Sequence, residues 1–85
     1  MELLQEALGA RIQSDRQGLV LGQVEPGGEA ARRGLRAGDA LLGANGRELH
    51  TLDELGREAL RAVERGGILL AVGRGRYVYN LSFGL

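Results

Sequence analysis

The chain has 85 residues, no cysteine, and eleven arginines balanced by eleven aspartates and glutamates, for a formal net charge of zero. A chain of this length forms one domain with a thin single core, burying about 60 to 65 per cent of the surface its unfolded form exposes, and leaves no room for a second catalytic module. The arginines are scattered rather than gathered into a stripe, which argues against a nucleic-acid partner, and the lack of thiols removes disulfides and thiolate metal sites.

In chain order, Ala10 to Ser14 alternates small or apolar with polar residues and predicts a strand. Gly18 to Val24 predicts a second, with Leu19 and Leu21 on one face and Val20 and Gly22 on the other. Ser14, Asp15, Arg16 and Gln17 supply turn chemistry over a short connection, so the two strands are expected to pair antiparallel. Pro26, Gly27 and Gly28 end the second strand, because proline cannot donate to a ladder and glycine admits backbone angles other residues avoid. Glu29 to Arg33 is alanine-rich with an acid in its first turn, and predicts one or two turns of helix stopped by Gly34, with Leu35 packing back beneath.

Gly38 and Asp39 precede an apolar strand through Ala40, Leu41 and Leu42, and Asn45 with Gly46 is the strongest short hairpin signal in the chain. Thr51 is a good N-cap, Asp53 and Glu54 suit the positive end of a helix dipole, and Leu52, Leu55, Ala59, Ala62 and Val63 fit a 3.6-residue period. This predicts one long helix, ended by Gly66 and Gly67. Ile68 to Val72, a turn at Gly73 to Gly75, and Tyr77 to Phe83 predict a closing hairpin. Strands dominate, with two helices closing the open edges, and the 15 glycines imply many tight turns.

The stretch from Gly18 to Gly46, GLVLGQVEPGGEAARRGLRAGDALLGANG, resembles the signature of PDZ domains. The resemblance is carried by Pro26, Gly28, Ala30 with Ala31, Gly34 with Leu35, Gly38 with Asp39, and Asn45 with Gly46. Ala7, Leu8, Gly9 and Ala10 stand where that family has an x-Φ-Gly-Φ carboxylate loop, ahead of the receiving strand Arg11 to Ser14. It implies an α+β, mainly β fold: a partly open β-barrel of five to six strands capped by one short and one long helix, with residues 1–85 as a single domain. The residues ahead of the loop are too few for the strand that opens an animal-type PDZ domain, whereas Arg76 to Phe83 offers a strand at the end. That arrangement resembles the permuted bacterial form attached to HtrA/Deg-type serine proteases.

What the resemblance implies is peptide capture. Consecutive backbone N–H groups converging on one concavity bind an anion, and glycine lets the backbone approach closely. Leu8, Gly9 and Ala10 are thereby expected to hold a peptide carboxylate. The peptide is expected to add a strand along Arg11, Ile12 and Ser14, with Ile12, Gly56, Leu60 and Val63 forming an apolar groove beside it. Gln17, Gly18 and Leu19 form a rival glycine loop, and Ile12, Leu60 and Val63 read equally as core residues. Ala10 is smaller than the residue usual at the end of the loop. Gly56 stands where many animal members have a histidine that reads Ser or Thr, so a wide pocket for apolar C-terminal side chains is expected.

Catalysis has little support: His50 is the lone histidine, Ser14 and Ser82 the only serines, and neither a nucleophile motif nor paired carboxylates nor a metal cluster is visible. His50 reads as a solvated residue beside the Thr51 cap, and Asp39 as turn chemistry. No cofactor or metal is expected. The expected partners are C-terminal or unfolded peptide segments with apolar side chains and a parent protease domain, the isolated domain being a monomer. A parent in the periplasm, or anchored facing outside the cytoplasm, follows from the resemblance. No apolar run approaches the roughly 18 residues that span a bilayer, and Met1 to Gln5 lacks a basic n-region, so neither anchor nor signal peptide is read here. Another envelope protein as host and a non-binding spacer are the competing readings. Capture requires that the amides near Gly9 be free and the slot between Ile12 and Leu60 be unfilled.

Overall fold

The computed structural model describes residues 1–85 and is organised by a six-stranded antiparallel sheet. Its strands are β1 (Ala10–Asp15), β2 (Gly18–Val24), β3 (Ala40–Ala44), β4 (Arg47–Glu48), β5 (Gly67–Arg74) and β6 (Tyr77–Gly84). They run in the order β1-β2-β3-β5-β6, with β4 paired to β3. The sheet is open, so β1 and β6 are its edges. Helices α1 (Glu2–Leu8), α2 (Glu29–Arg32) and α3 (Leu52–Arg65) complete the fold. The α+β, mainly β architecture is as the sequence predicts.

Local chemistry explains the joints. Asp15 Oδ1 accepts the Gln17 N–H at 2.8 Å, closing the β1–β2 turn. Asn45 and Gly46 hold φ of 52° and 80°, the doubly positive pair that a tight β3–β4 reversal requires. At the start of α3, Thr51 Oγ1 accepts the Glu54 N–H while Glu54 Oε1 accepts the Thr51 and His50 N–H groups, so several donors left over by the first turn are satisfied reciprocally. Gly66, at φ 82°, ends the helix.

The core lies between the sheet and the helices. Leu19, Leu21, Leu41, Ile68, Leu70 and Val72 meet Leu55, Ala59 and Ala62 of α3 and Leu4 and Leu8 of α1. Burial of this apolar surface is the main stabilising term.

Three features differ from the sequence reading. A third helix, α1, spans a segment for which the sequence predicts no element and takes in Ala7 and Leu8, the first half of the expected loop. Leu4 and Leu8 stand one turn apart on its buried face, and Gly9 terminates it in the left-handed conformation. Leu52, which shares the helical period of Leu55, Ala59 and Ala62, is 37% exposed: it opens α3 and lies at the rim of the buried face. The last hairpin turns at Gly75 and Arg76 rather than at Gly73, which with Arg74 extends β5.

Candidate functional site

β1 pairs with β2 alone, and its other edge carries no strand. The Glu25 N–H donates to Gly9 O at 2.8 Å, which fixes the phase of the ladder. Antiparallel pairing then turns the backbone groups of Ala10, Ile12 and Ser14 away from β2. The Ile12 N–H, donating to Gln5 Oε1 at 2.9 Å, agrees with that phase. Past Arg11 the register skips Gly22, a bulge that tightens the twist of this pair. The Ala10 and Ile12 side chains point into the core, while those of Arg11 and Ser14 are exposed. Ile12 therefore lends the edge its backbone, and its side chain belongs to the core, as the competing reading had it.

The segment expected to hold a carboxylate is built differently. Ala7 and Leu8 form the last turn of α1, where the Leu8 amide belongs to the helical ladder. Gly9, with φ 69° and ψ 43°, is the helix cap, and its N–H donates to Gln5 O at 2.8 Å. A Cβ on residue 9 would lie 3.1 Å from the Gly28 Cα. Positive φ and this close approach together explain the glycine without a ligand. Of the three amides assigned to an anion, Leu8 and Gly9 are engaged within the chain, and only Ala10 directs its amide to the free edge.

A depression of about 500 Å³ opens beside Gly9, and Glu2, Glu6 and Glu25 line it against a single cation, Arg11. Its field disfavours an incoming carboxylate. The rival loop fares no better as an anion site: the Gln17 amide is taken by Asp15 Oδ1, and Gly18, at φ 131°, simply begins β2.

On α3 the predicted Gly56, Leu60 and Val63 lie on one face, which the Ile12 side chain, turned into the core from β1, does not join. Leu52, Gly56, Leu60 and Val63 recur at three- and four-residue spacing and share a face. Leu60 is 70% exposed, the largest fraction among the exposed large apolar side chains, and Leu52 and Val63 are also exposed. This stripe is separate from the buried face formed by Leu55, Ala59 and Ala62. Leu60 and Val63 are therefore surface residues of α3 rather than core.

Two acidic residues are buried: Asp39, which the sequence reads only as turn chemistry, and Glu58, which its pattern does not single out. Asp39 is only 4% exposed; its Oδ2 accepts the Arg36 N–H at 2.8 Å, and both its oxygens face the Arg74 guanidinium. The hydrogen bonds from Arg74, helped by that from Arg36, hold its carboxyl below the usual carboxylate range despite burial. Glu58 is 3% exposed and accepts from Asn45 Nδ2 at 3.2 Å and Arg61 NH1 at 3.4 Å, with Arg47 Nε 3.7 Å away. Both are structural ties. His50 is solvated, its Nε2 3.4 Å from Glu48 Oε1, and no three His, Cys, Asp or Glu residues gather as metal ligands.

The family model described as the PDZ domain matches residues 1–72. The chain belongs to the PDZ family. PDZ domains are non-catalytic modules that bind peptides and proteins, as a rule at C-terminal segments. The matched residues run from α1 into β5, so β6 lies beyond them. A search of curated proteins finds no match to this PDZ domain. No helix of the domain is long and apolar enough to cross a membrane.

Proposed function

We propose that this PDZ domain captures extended polypeptide segments along β1, adding them as a further strand beside the apolar stripe of α3. The observation that carries this reading is the unpaired edge from Ala10 to Asp15, together with Leu60 and Val63 left exposed on the helix beside the half-buried Gly56. Main-chain hydrogen bonds supply affinity and the stripe supplies a preference for apolar side chains. Ordering a peptide costs roughly 1 to 2 kcal/mol per residue, so binding of a short segment is micromolar in scale.

The parent we favour is a serine protease of the HtrA/Deg type, acting in the periplasm or anchored facing outside the cytoplasm, with this domain recruiting substrate or regulating the catalytic domain. Support comes from the closing strand β6 and from a helix rather than a strand ahead of β1. Arg11 on the receiving edge discourages edge-to-edge pairing and fits a monomeric domain. A Gly-Asn-Ser-Gly-Gly motif upstream in the parent supports the assignment. His-Glu-x-x-His in a membrane helix replaces it with an intramembrane metalloprotease host.

The condition the sequence sets for capture is not met at the carboxylate end: the Gly9 and Ile12 amides already have partners within the chain, which favours the spacer reading and confines capture to the remaining groups of the β1 edge. Titration of the labelled domain with pooled decapeptides ending in apolar residues, followed by amide chemical shifts, separates the two. Shifts along Ala10–Asp15 and at Gly56, Leu60 and Val63 support capture, and a titration that leaves both elements unmoved establishes the spacer.

A further inference from the structure

One residue holds the start and the middle of the receiving edge. Gln5, on α1, accepts the Gly9 N–H on its backbone oxygen at 2.8 Å and the Ile12 N–H on its side-chain Oε1 at 2.9 Å. The first bond keeps Gly9 in its helix-cap conformation, away from the extended loop in which its amide would face a ligand. The second places a side-chain carbonyl where the backbone carbonyl of an added strand would sit. Around this point Glu2, Glu6 and Glu25 outnumber Arg11. A terminal carboxylate arriving there meets two engaged amides and a negative field.

We infer that Gln5 is the residue that sets specificity on this edge: it stands in for the ligand at Ile12 and closes the carboxylate end, so that the domain selects the interior of an extended segment over a free C-terminus. The inference rests on the capture reading above. An incoming strand displaces the Gln5 side chain, takes its place on the Ile12 N–H and continues past Ser14. The chain beyond the Gly9 end carries no terminal charge. The other outward groups of β1, those of Ala10 and Ser14, are open to the strand without rearrangement. The Gly9 bond runs through the backbone of residue 5 and persists whatever side chain stands there, which separates the two effects experimentally.

The test uses the 85-residue domain and two matched pools of apolar decapeptides, one with free C-terminal acids and one with C-terminal amides, read by amide chemical shifts at Ile12 to Asp15. The wild-type domain is expected to bind the amide pool at least as tightly as the acid pool, since no amide pair is open to the acid and the glutamates beside Gly9 repel it. Gln5→Ala frees the Ile12 N–H and is expected to tighten both pools by about three- to tenfold, the size of one net hydrogen bond. Gln5→Glu keeps the shape and strengthens the acceptor, and is expected to weaken both. Opposite signs in the two variants cannot arise from loss of folding, which thermal unfolding of each variant checks. Acid peptides binding tenfold or more above their amides overturn the inference and leave the capture reading intact, as does weaker binding by Gln5→Ala with its fold retained. Failure of both pools on all three proteins overturns capture itself, and the inference with it.

Discussion

Arg74, at the end of β5, grips Asp39 at two points: its Nε donates to Oδ1 at 2.8 Å and its NH2 to Oδ2 at 2.7 Å. The same NH2 donates to Gly34 O, so one guanidinium ties the last hairpin to the turn behind α2 and to the Gly38-Asp39 corner that starts β3. Planar two-point geometry makes this stronger than an ordinary surface pair. Arg74→Ala leaves a buried carboxylate with the Arg36 amide alone and is expected to lower the midpoint of denaturant unfolding at pH 7.

Acid should weaken the same tie. The folded Asp39 carboxyl lies below its ordinary value of 3.8, so its contribution is fully present above that pH and is lost as pH falls further, through the folded value. Unfolding curves from pH 7 down to pH 2 are expected to show a drop that begins near 4. Part of that drop should vanish in Asp39→Asn. A variant with the same acid limb as the wild type would show that other carboxylates carry it.

Gly9 offers a comparison with Gly75. Both have left-handed backbone, at φ 69° and 60°, but a Cβ at Gly75 meets nothing within 4 Å whereas one at Gly9 presses on the Gly28 backbone. Gly75→Ala is expected to cost about 1 to 2 kcal/mol from strain alone, and Gly9→Ala measurably more. Equal losses in thermal unfolding would mean that the contact between α1 and the start of α2 yields freely.

Most of the sheet was legible because its signals are local. Alternation marked β1 and β2, the Asn45-Gly46 pair marked its reversal, and Thr51 with Glu54 marked the start of α3. The helix α1 was missed although ELLQEAL consists of good helix formers followed by a terminating glycine. A family-like position for Gly9 outweighed that local evidence. Leu60 and Val63 read equally as groove or core from the sequence, because the helical period fixes which residues share a face but not how wide the buried stripe is; their exposure settles it. Ile12 was harder, because a strand residue gives its side chain to one surface and its backbone to another. The roles of Gln5, Asp39 and Glu58 depend on partners seven to thirty-five positions away, which pattern reading along the chain does not join.

Glu58 shows how such a partner acts. Its Oε1 accepts from Asn45 Nδ2, while Asn45 Oδ1 accepts the Leu69 N–H at 2.9 Å, so the carboxylate orients the side amide that stitches the hairpin tip to β5. Glu58→Ala is expected to cost about 1 to 3 kcal/mol by leaving the half-buried Asn45 amide without its acceptor. Glu58→Gln retains an acceptor oxygen and is expected to recover much of that loss. If both variants lose the same stability, charge rather than orientation is what matters at this site.

The α3 stripe and the β1 core residue make opposite predictions. Leu60 is exposed, so Leu60→Ser should change stability by no more than about 0.5 kcal/mol, yet it removes the side chain best placed to cover a ligand's apolar residues. Peptide affinity for that variant is expected to fall several-fold. Ile12 is buried, and Ile12→Ala is expected to cost about 2 to 5 kcal/mol through the cavity it leaves. Its backbone groups still face the edge, so affinity measured on the folded fraction should fall less than for Leu60→Ser. An unchanged affinity in Leu60→Ser would remove α3 from the binding surface and leave the β1 edge as the only element that touches the ligand.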